Sequence, residues 1–146
     1  MDRGVAVVLT AAVGGLIALQ APVNSLLGQR VGTVAASVVS FALGTIALAG
    51  IAVLSGGLGK LGEVRSVPWY YLVGGLLGAA YVTCVLVTVR SLGAGGVTAA
   101  TIAGQLTMSL VVDQLGILGV AQKPITVSRA AGVALLAVGT FLVVRE

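Results

Sequence analysis

Histidine is absent, and cysteine occurs once, at Cys84. The first absence removes the commonest general base and the commonest nitrogen ligand for metals, and the second forbids an intramolecular disulfide and any cysteine-built metal site. Carboxylates are nearly as scarce, with Asp2, Glu63, Asp113 and Glu146 as the full set and no pair among them placed for acid–base work. No glycine-rich phosphate loop follows a strand. Enzyme chemistry therefore has little to stand on, and neither a catalytic residue, a metal nor a cofactor is expected. The net charge of +4 hints at nucleic acid, but its basic residues are scattered singly and aromatics make up only 4%. A chain built this way offers no basic face for a phosphate backbone, and no nucleic-acid partner is expected.

Charge of either sign is the deepest deficit: 8% of residues are charged, whereas 58% are hydrophobic. A globular domain carries roughly a quarter charged residues. Nearly all of the charges fall between long apolar runs or at the chain ends, which is the layout of an integral membrane protein, with the lipid bilayer as its first partner. A crossing of the roughly 30 Å hydrocarbon core takes about 20 apolar residues. Five stretches qualify, at about 5–27, 34–54, 69–89, 97–115 and 127–144. The expected fold is thus an all-α, single-domain membrane protein of five transmembrane helices over residues 1–146. The runs are unbroken and about twice the length of β-barrel strands. The intervening stretches "GQRVGT", "SGGLGKLGEVRSVP", "RSLGAGG" and "GILGVAQKPITVS" read as turns. The start resembles a secretory signal, but its apolar run is too long and Pro22 disfavours cleavage, so a retained first span is expected.

The 22 glycines fit the same reading. Helices in lipid gain little from the hydrophobic effect on meeting, so close approach at small residues supplies the packing. Four-residue spacings recur at Ala36, Ser40 and Gly44, at Gly74 and Gly78, and at Ala100 and Gly104.

Five spans place the termini on opposite sides of the membrane. One side then receives Arg3, Lys60, Arg65, Lys123 and Arg129, and the other Arg30, Arg90 and Arg145. A bias of five against three scarcely fixes orientation, so insertion both ways is expected. The chain is also about half the size of many secondary transporters, whose folds enclose a midplane site between two inverted repeats. Two copies inserted in opposite senses restore that arrangement, so the expected working unit is an antiparallel, dual-topology homodimer of ten helices.

Polar groups inside spans are expensive unless paired, and they mark candidate functional positions. Gln20 and Asn24 share a helix face four residues apart, and Pro22 between them frees the carbonyl of Ala18. The alternatives are an inward-facing polar site, interhelical glue, or an interfacial kink in which the span ends near Leu19 and these residues form a polar turn. The fourth span carries Thr98, Thr101, Gln105 and Ser109 within a stripe about 80° wide, with Asp113 continuing the series. Asp113 is the only acid within a span, which makes it the candidate for binding a coupling ion, although an interfacial carboxylate fits its depth equally well. Ser37, Ser40 and Gly44, together with Tyr81, Cys84 and Thr88, form weaker stripes read as packing. Tyr81 is the exception, since a buried hydroxyl needs a partner.

Three segments, "GLIALQAPVNSLLGQRVGTVAASVVSFALGTIAL", "TIAGQLTMSLVVDQLGILG" and "KPITVSRAAGVALLAVGTFLVV", resemble the YdcZ-like branch of the drug/metabolite transporter superfamily. The likeness covers nearly the whole chain, and the Gln-x-Pro-x-Asn element and the Gly-Gln…Asp segment are its most specific parts. It implies a small five-helix protein of the bacterial cytoplasmic (inner) membrane, a dual-topology homodimer for a lone gene, and transport by alternating access. Gln20, Asn24, Gln105 and Asp113 fall on positions matching the family's polar motifs. Relatives that export small cations carry a mid-span glutamate in the first helix, where this chain has the amides Gln20 and Asn24. The expected function is secondary export of a small metabolite or drug-like solute bound at the dimer interface by Gln20, Asn24, Tyr81, Thr101, Gln105 and Ser109. A dual-topology ion channel and a non-transporting accessory subunit are the alternatives.

Overall fold

The computed structural model describes residues 2–145, which are helical with no strand among them. Helix α1 spans Arg3–Val31, helix α2 Thr33–Leu54, helix α3 Val73–Leu115 and helix α4 Val127–Val144. Each reads as a candidate membrane span by length and apolarity, the third beginning at Trp69. The apolar side chains point outward, with Leu54 90% and Leu135 73% exposed, and α4 has no buried residue. That distribution inverts the rule for water-soluble domains and suits a solvent of acyl chains.

Asp2 starts α1 by accepting the backbone N–H groups of Gly4 and Val5 at 2.8 and 3.3 Å, satisfying donors that have no partner within the helix. The helix then runs through Gln20, Pro22 and Asn24 without interruption to Val31, four residues beyond the expected end. At 1.5 Å per residue it is about 44 Å long, more than the hydrocarbon core, so it protrudes or tilts. Gly32 ends it, with φ 89° and ψ 153°, in a region that side-chain-bearing residues avoid, and α2 begins at the next residue. The expected turn between the first two spans is thus a one-residue reversal. It makes α1 and α2 a helical hairpin.

The chain forms two compact units, residues 1–90 and 91–146. In the first unit, α1, α2 and the first arm of α3 meet around Ala36 and Leu86, both fully buried, with Val82 buried beside them and Leu27 and Tyr81 packed against the cluster. Small residues set the closeness. A Cβ on Gly28 would lie 3.8 Å from that of Ala36, and one on Gly78 would lie 3.4 Å from the Phe41 ring. Gly44 and Gly74, which share the same spacing pattern, face nothing within 4 Å. Between α2 and α3 the chain forms 3₁₀ helices at Gly57–Ser66 and Trp69–Leu72.

In the second unit, the outer arm of α3 and α4 are joined by residues 116–126, which fold back onto the end of α3. The Lys123 N–H donates to the Asp113 carbonyl at 2.8 Å, the Gln122 amide to the Gln114 carbonyl at 2.9 Å, and the Ile125 N–H to Gln114 Oε1 at 2.7 Å. Thr126 then caps α4, its hydroxyl accepting the Arg129 N–H at 3.3 Å. Thr140 Oγ1 donates to the Ala99 carbonyl at 3.1 Å, fixing α4 against α3.

Helix α3 has 43 residues, about 65 Å if straight and twice the hydrocarbon thickness. It is broken at one residue, Gly93, at φ 66° and ψ 171°. The turn expected over 90–96 is therefore reduced to a single non-helical glycine. Although a Cβ on Gly93 would meet nothing within 4 Å, the backbone conformation itself excludes L side chains. Gly93→Ala is expected to lower stability by about 1–3 kcal/mol, read as a drop in the thermal midpoint of the detergent-solubilised protein. Gly14→Ala, at a helical glycine with open space around it, is expected to leave that midpoint unchanged or raise it.

Candidate functional site

The register of the α1–α2 hairpin follows from its pivot. Residues equidistant from Gly32 come opposite one another: Gly28 meets Ala36 at four residues on either side, and Asn24 meets Ser40 at eight. Asn24 is buried, 7% exposed, and its Nδ2 donates to Ser40 Oγ at 3.1 Å. One turn away, Thr83 Oγ1 donates to Ser37 Oγ at 3.2 Å, and the Ser37 hydroxyl donates to the Thr33 carbonyl at 3.1 Å. A ladder of side-chain hydrogen bonds thus links the three helices of the first unit. Each rung holds a polar group that lipid cannot satisfy.

Beside that ladder, Gln20, Asn24 and Tyr81 line a crevice whose other walls are apolar, including Ile17, Val82 and Val85. Pro22 interrupts the backbone donors of α1 at the same level. The structure therefore brings three of the sequence-derived site residues together on two helices. The crevice measures about 10 Å³, room for a single water molecule. Solute sites are larger, at roughly 300–1,000 Å³. One chain therefore supplies an amide–phenol wall and no enclosed cavity behind it. Gln20 remains exposed at the edge of this crevice.

The remaining site candidates lie in the second unit. Thr98 and Thr101 are half-buried, and Gln105 and Ser109 are exposed. The Ser109 hydroxyl donates to the Gln105 carbonyl within its own helix, as the Thr107 hydroxyl does to Ala103 at 2.8 Å. The Ser109 hydroxyl is thus satisfied within its helix, and Gln105 presents an exposed amide on the same stripe. Asp113 forms an ion pair and hydrogen bond with Arg129, both side chains partly exposed, at the end of α3 and the start of α4. Its backbone carbonyl meanwhile anchors the loop at Lys123.

Sequence reasoning passed over Thr83, Gln114 and the pairing of Arg129. Thr83 carried little signal, since a helical threonine can bond its own backbone. Gln114 had none, because its partners come from a loop that must first fold. Ser40 was read as packing, and its pairing with Asn24 follows from the one-residue pivot at Gly32 that replaces the expected turn. Asn24→Ala and Ser40→Ala are each expected to lower unfolding stability by about 0.6–2 kcal/mol, with the double variant no worse than either alone. That non-additivity, measured as a double-mutant cycle in detergent, is the signature of a direct bond.

Among curated proteins and solved structures, no match to the chain was found. A family model described as "Putative inner membrane exporter, YdcZ" matches residues 5–142. Nearly the whole chain, from the start of α1 to the last turn of α4, is covered by that match. The five-residue element from Gln20 to Asn24, the hairpin pivot and the Asp113 segment all lie inside it, and the chain belongs to the YdcZ family.

Proposed function

We propose that the protein is a secondary active transporter, not an enzyme, that exports a small metabolite or drug-like solute from the bacterial cytoplasm by alternating access. Its working unit is an antiparallel homodimer, each chain crossing the inner membrane five times, with the site at the dimer interface. The observation that carries the reading is the crevice wall of Gln20, Asn24 and Tyr81. It sets polar groups of α1 and α3 side by side, next to a volume of about 10 Å³ that a second surface would enlarge into a site. The family's description as an inner-membrane exporter supports the same direction.

Five crossings follow if the arms of α3 on either side of Gly93, residues 73–92 and 94–115, each span the membrane. Each is about 30 Å long, the thickness of the hydrocarbon core. Amides at the site favour a solute with hydrogen-bonding groups, since they offer donor and acceptor without charge. Gln105 and Ser109 are further solute contacts in this scheme, with Thr101 at their side. Asp113 takes the coupling ion once Arg129 releases it.

A thermal-shift screen against metabolites and cationic drugs identifies the solute, and proteoliposomes then measure its transport. Gln20→Ala and Asn24→Ala are expected to slow transport by about tenfold or more, the effect of a lost polar contact of about 1–3 kcal/mol. Leu19→Ala, on the outward apolar face, leaves it unchanged. Asp113→Asn is expected to abolish accumulation against a gradient while sparing downhill exchange. Wild-type transport by both amide variants would refute the assignment of the site.

A further inference from the structure

The 3₁₀ helix Gly57–Ser66 is long for its kind, since such helices rarely exceed three or four residues. With three residues per turn, positions i and i+3 eclipse. That geometry sorts this segment into columns. Leu58, Leu61 and Val64 form one, continued by Val67 just past the helix end; Lys60, Glu63 and Ser66 form the second; and Gly59, Gly62 and Arg65 form the third. The apolar column is exposed along its length, from 36% at Val67 to 61% at Leu61. An α-helical spacing would have scattered the same residues around the axis.

The segment then meets a run of aromatics. Trp69, Tyr70 and Tyr71 are all exposed, at 77%, 51% and 65%, and Tyr70 stands edge-to-face against both neighbours, at centroid distances of 6.2 and 4.9 Å. Trp69 is the chain's single tryptophan, and three of its six aromatic side chains lie in these three residues. Aromatic residues of this type concentrate where hydrocarbon meets headgroups. The ends of the segment supply the placement. It joins α2 and α3, two helices long and apolar enough to cross a membrane, so both of its ends emerge at one membrane surface.

We infer that residues 57–72 form a membrane-surface element lying in the plane of the bilayer interface. The Leu58–Leu61–Val64–Val67 column is sunk at the headgroup–acyl boundary, the Trp69–Tyr70–Tyr71 cluster sits at the same depth, and Lys60 and Arg65 reach outward to lipid phosphates. The occupant of the apolar column is lipid. The segment joins two helices that carry exposed apolar side chains, and its charges lie on the two columns beside the apolar one, as an interfacial helix requires. This element is independent of the solute site. Its role is to fix the height of the α2–α3 connection against the bilayer.

The test uses the full chain carrying Cys84→Ala, with single cysteines placed in turn at 58 to 67, spin-labelled and reconstituted in vesicles of phosphatidylethanolamine and phosphatidylglycerol. Collision with oxygen, which partitions into lipid, is compared with collision with a water-soluble nickel chelate. The oxygen-to-nickel ratio is expected to rise severalfold at 58, 61, 64 and 67 relative to 59, 60, 62, 63, 65 and 66, a period of three residues. Uniform nickel accessibility, meaning a segment in water, would overturn the inference. So would a column shielded from both reagents, meaning protein covers it, or a period of 3.6 residues.

Discussion

In hydrocarbon, a polar group without a partner costs several kcal/mol, because no water is present to take the partner's place. That single constraint organises this protein. Asn24 on α1 is satisfied by Ser40 on α2, and Ser37 on α2 receives Thr83 from α3. The first bond depends on Gly32, whose left-handed backbone reverses the chain in one residue and sets which positions of α1 and α2 face each other. A hairpin with a longer turn would lose that register, and the Asn24–Ser40 rung would come apart. The apolar contacts around Ala36 and Leu86 fill the space that the register creates.

The same constraint singles out the groups that the chain leaves unsatisfied by itself. Gln20 and Gln105 are exposed amides on helices whose other exposed residues are mostly small or apolar. Lipid gives them nothing, so water or a second protein surface must. The loop after α3 solves its own version of the problem by folding back, with Gln114 serving two segments of the loop and Asp113 holding both Arg129 and the Lys123 backbone. The end of α3, the loop and the start of α4 are thereby tied together at the Asp113–Arg129 ion pair.

Composition and run length made the all-helical membrane architecture legible, because only uncharged stretches of about 20 residues can cross. Helix ends were less so. "RSLGAGG" reads as a turn on glycine content, yet all but Gly93 is helical, since a backbone that stays in or near lipid keeps its hydrogen bonds despite glycine's weak propensity. Likewise Pro22 leaves α1 assigned as one helix, its freed carbonyl notwithstanding. Within the candidate site, helical spacing put Gln20 beside Asn24, and the crevice places Tyr81 with them. What spacing could not reveal was any contact made through an irregular segment: the pairing of Asp113 with Arg129, sixteen residues on, needs the intervening loop to fold.

The proposed half-site, which a second, oppositely inserted copy would complete, rests on the amide–phenol wall with its crevice of about 10 Å³ and on the near-balanced basic residues that five crossings would give. Orientation in cells tests this most directly. Two fusions at the C-terminus suffice, one with a reporter that fluoresces only in the cytoplasm and one with a phosphatase active only outside it. The dual-topology account predicts substantial activity from both fusions, and a balance shifted to one side by two or three added lysines in a single loop. Activity from one fusion alone, unmoved by added charge, would contradict it.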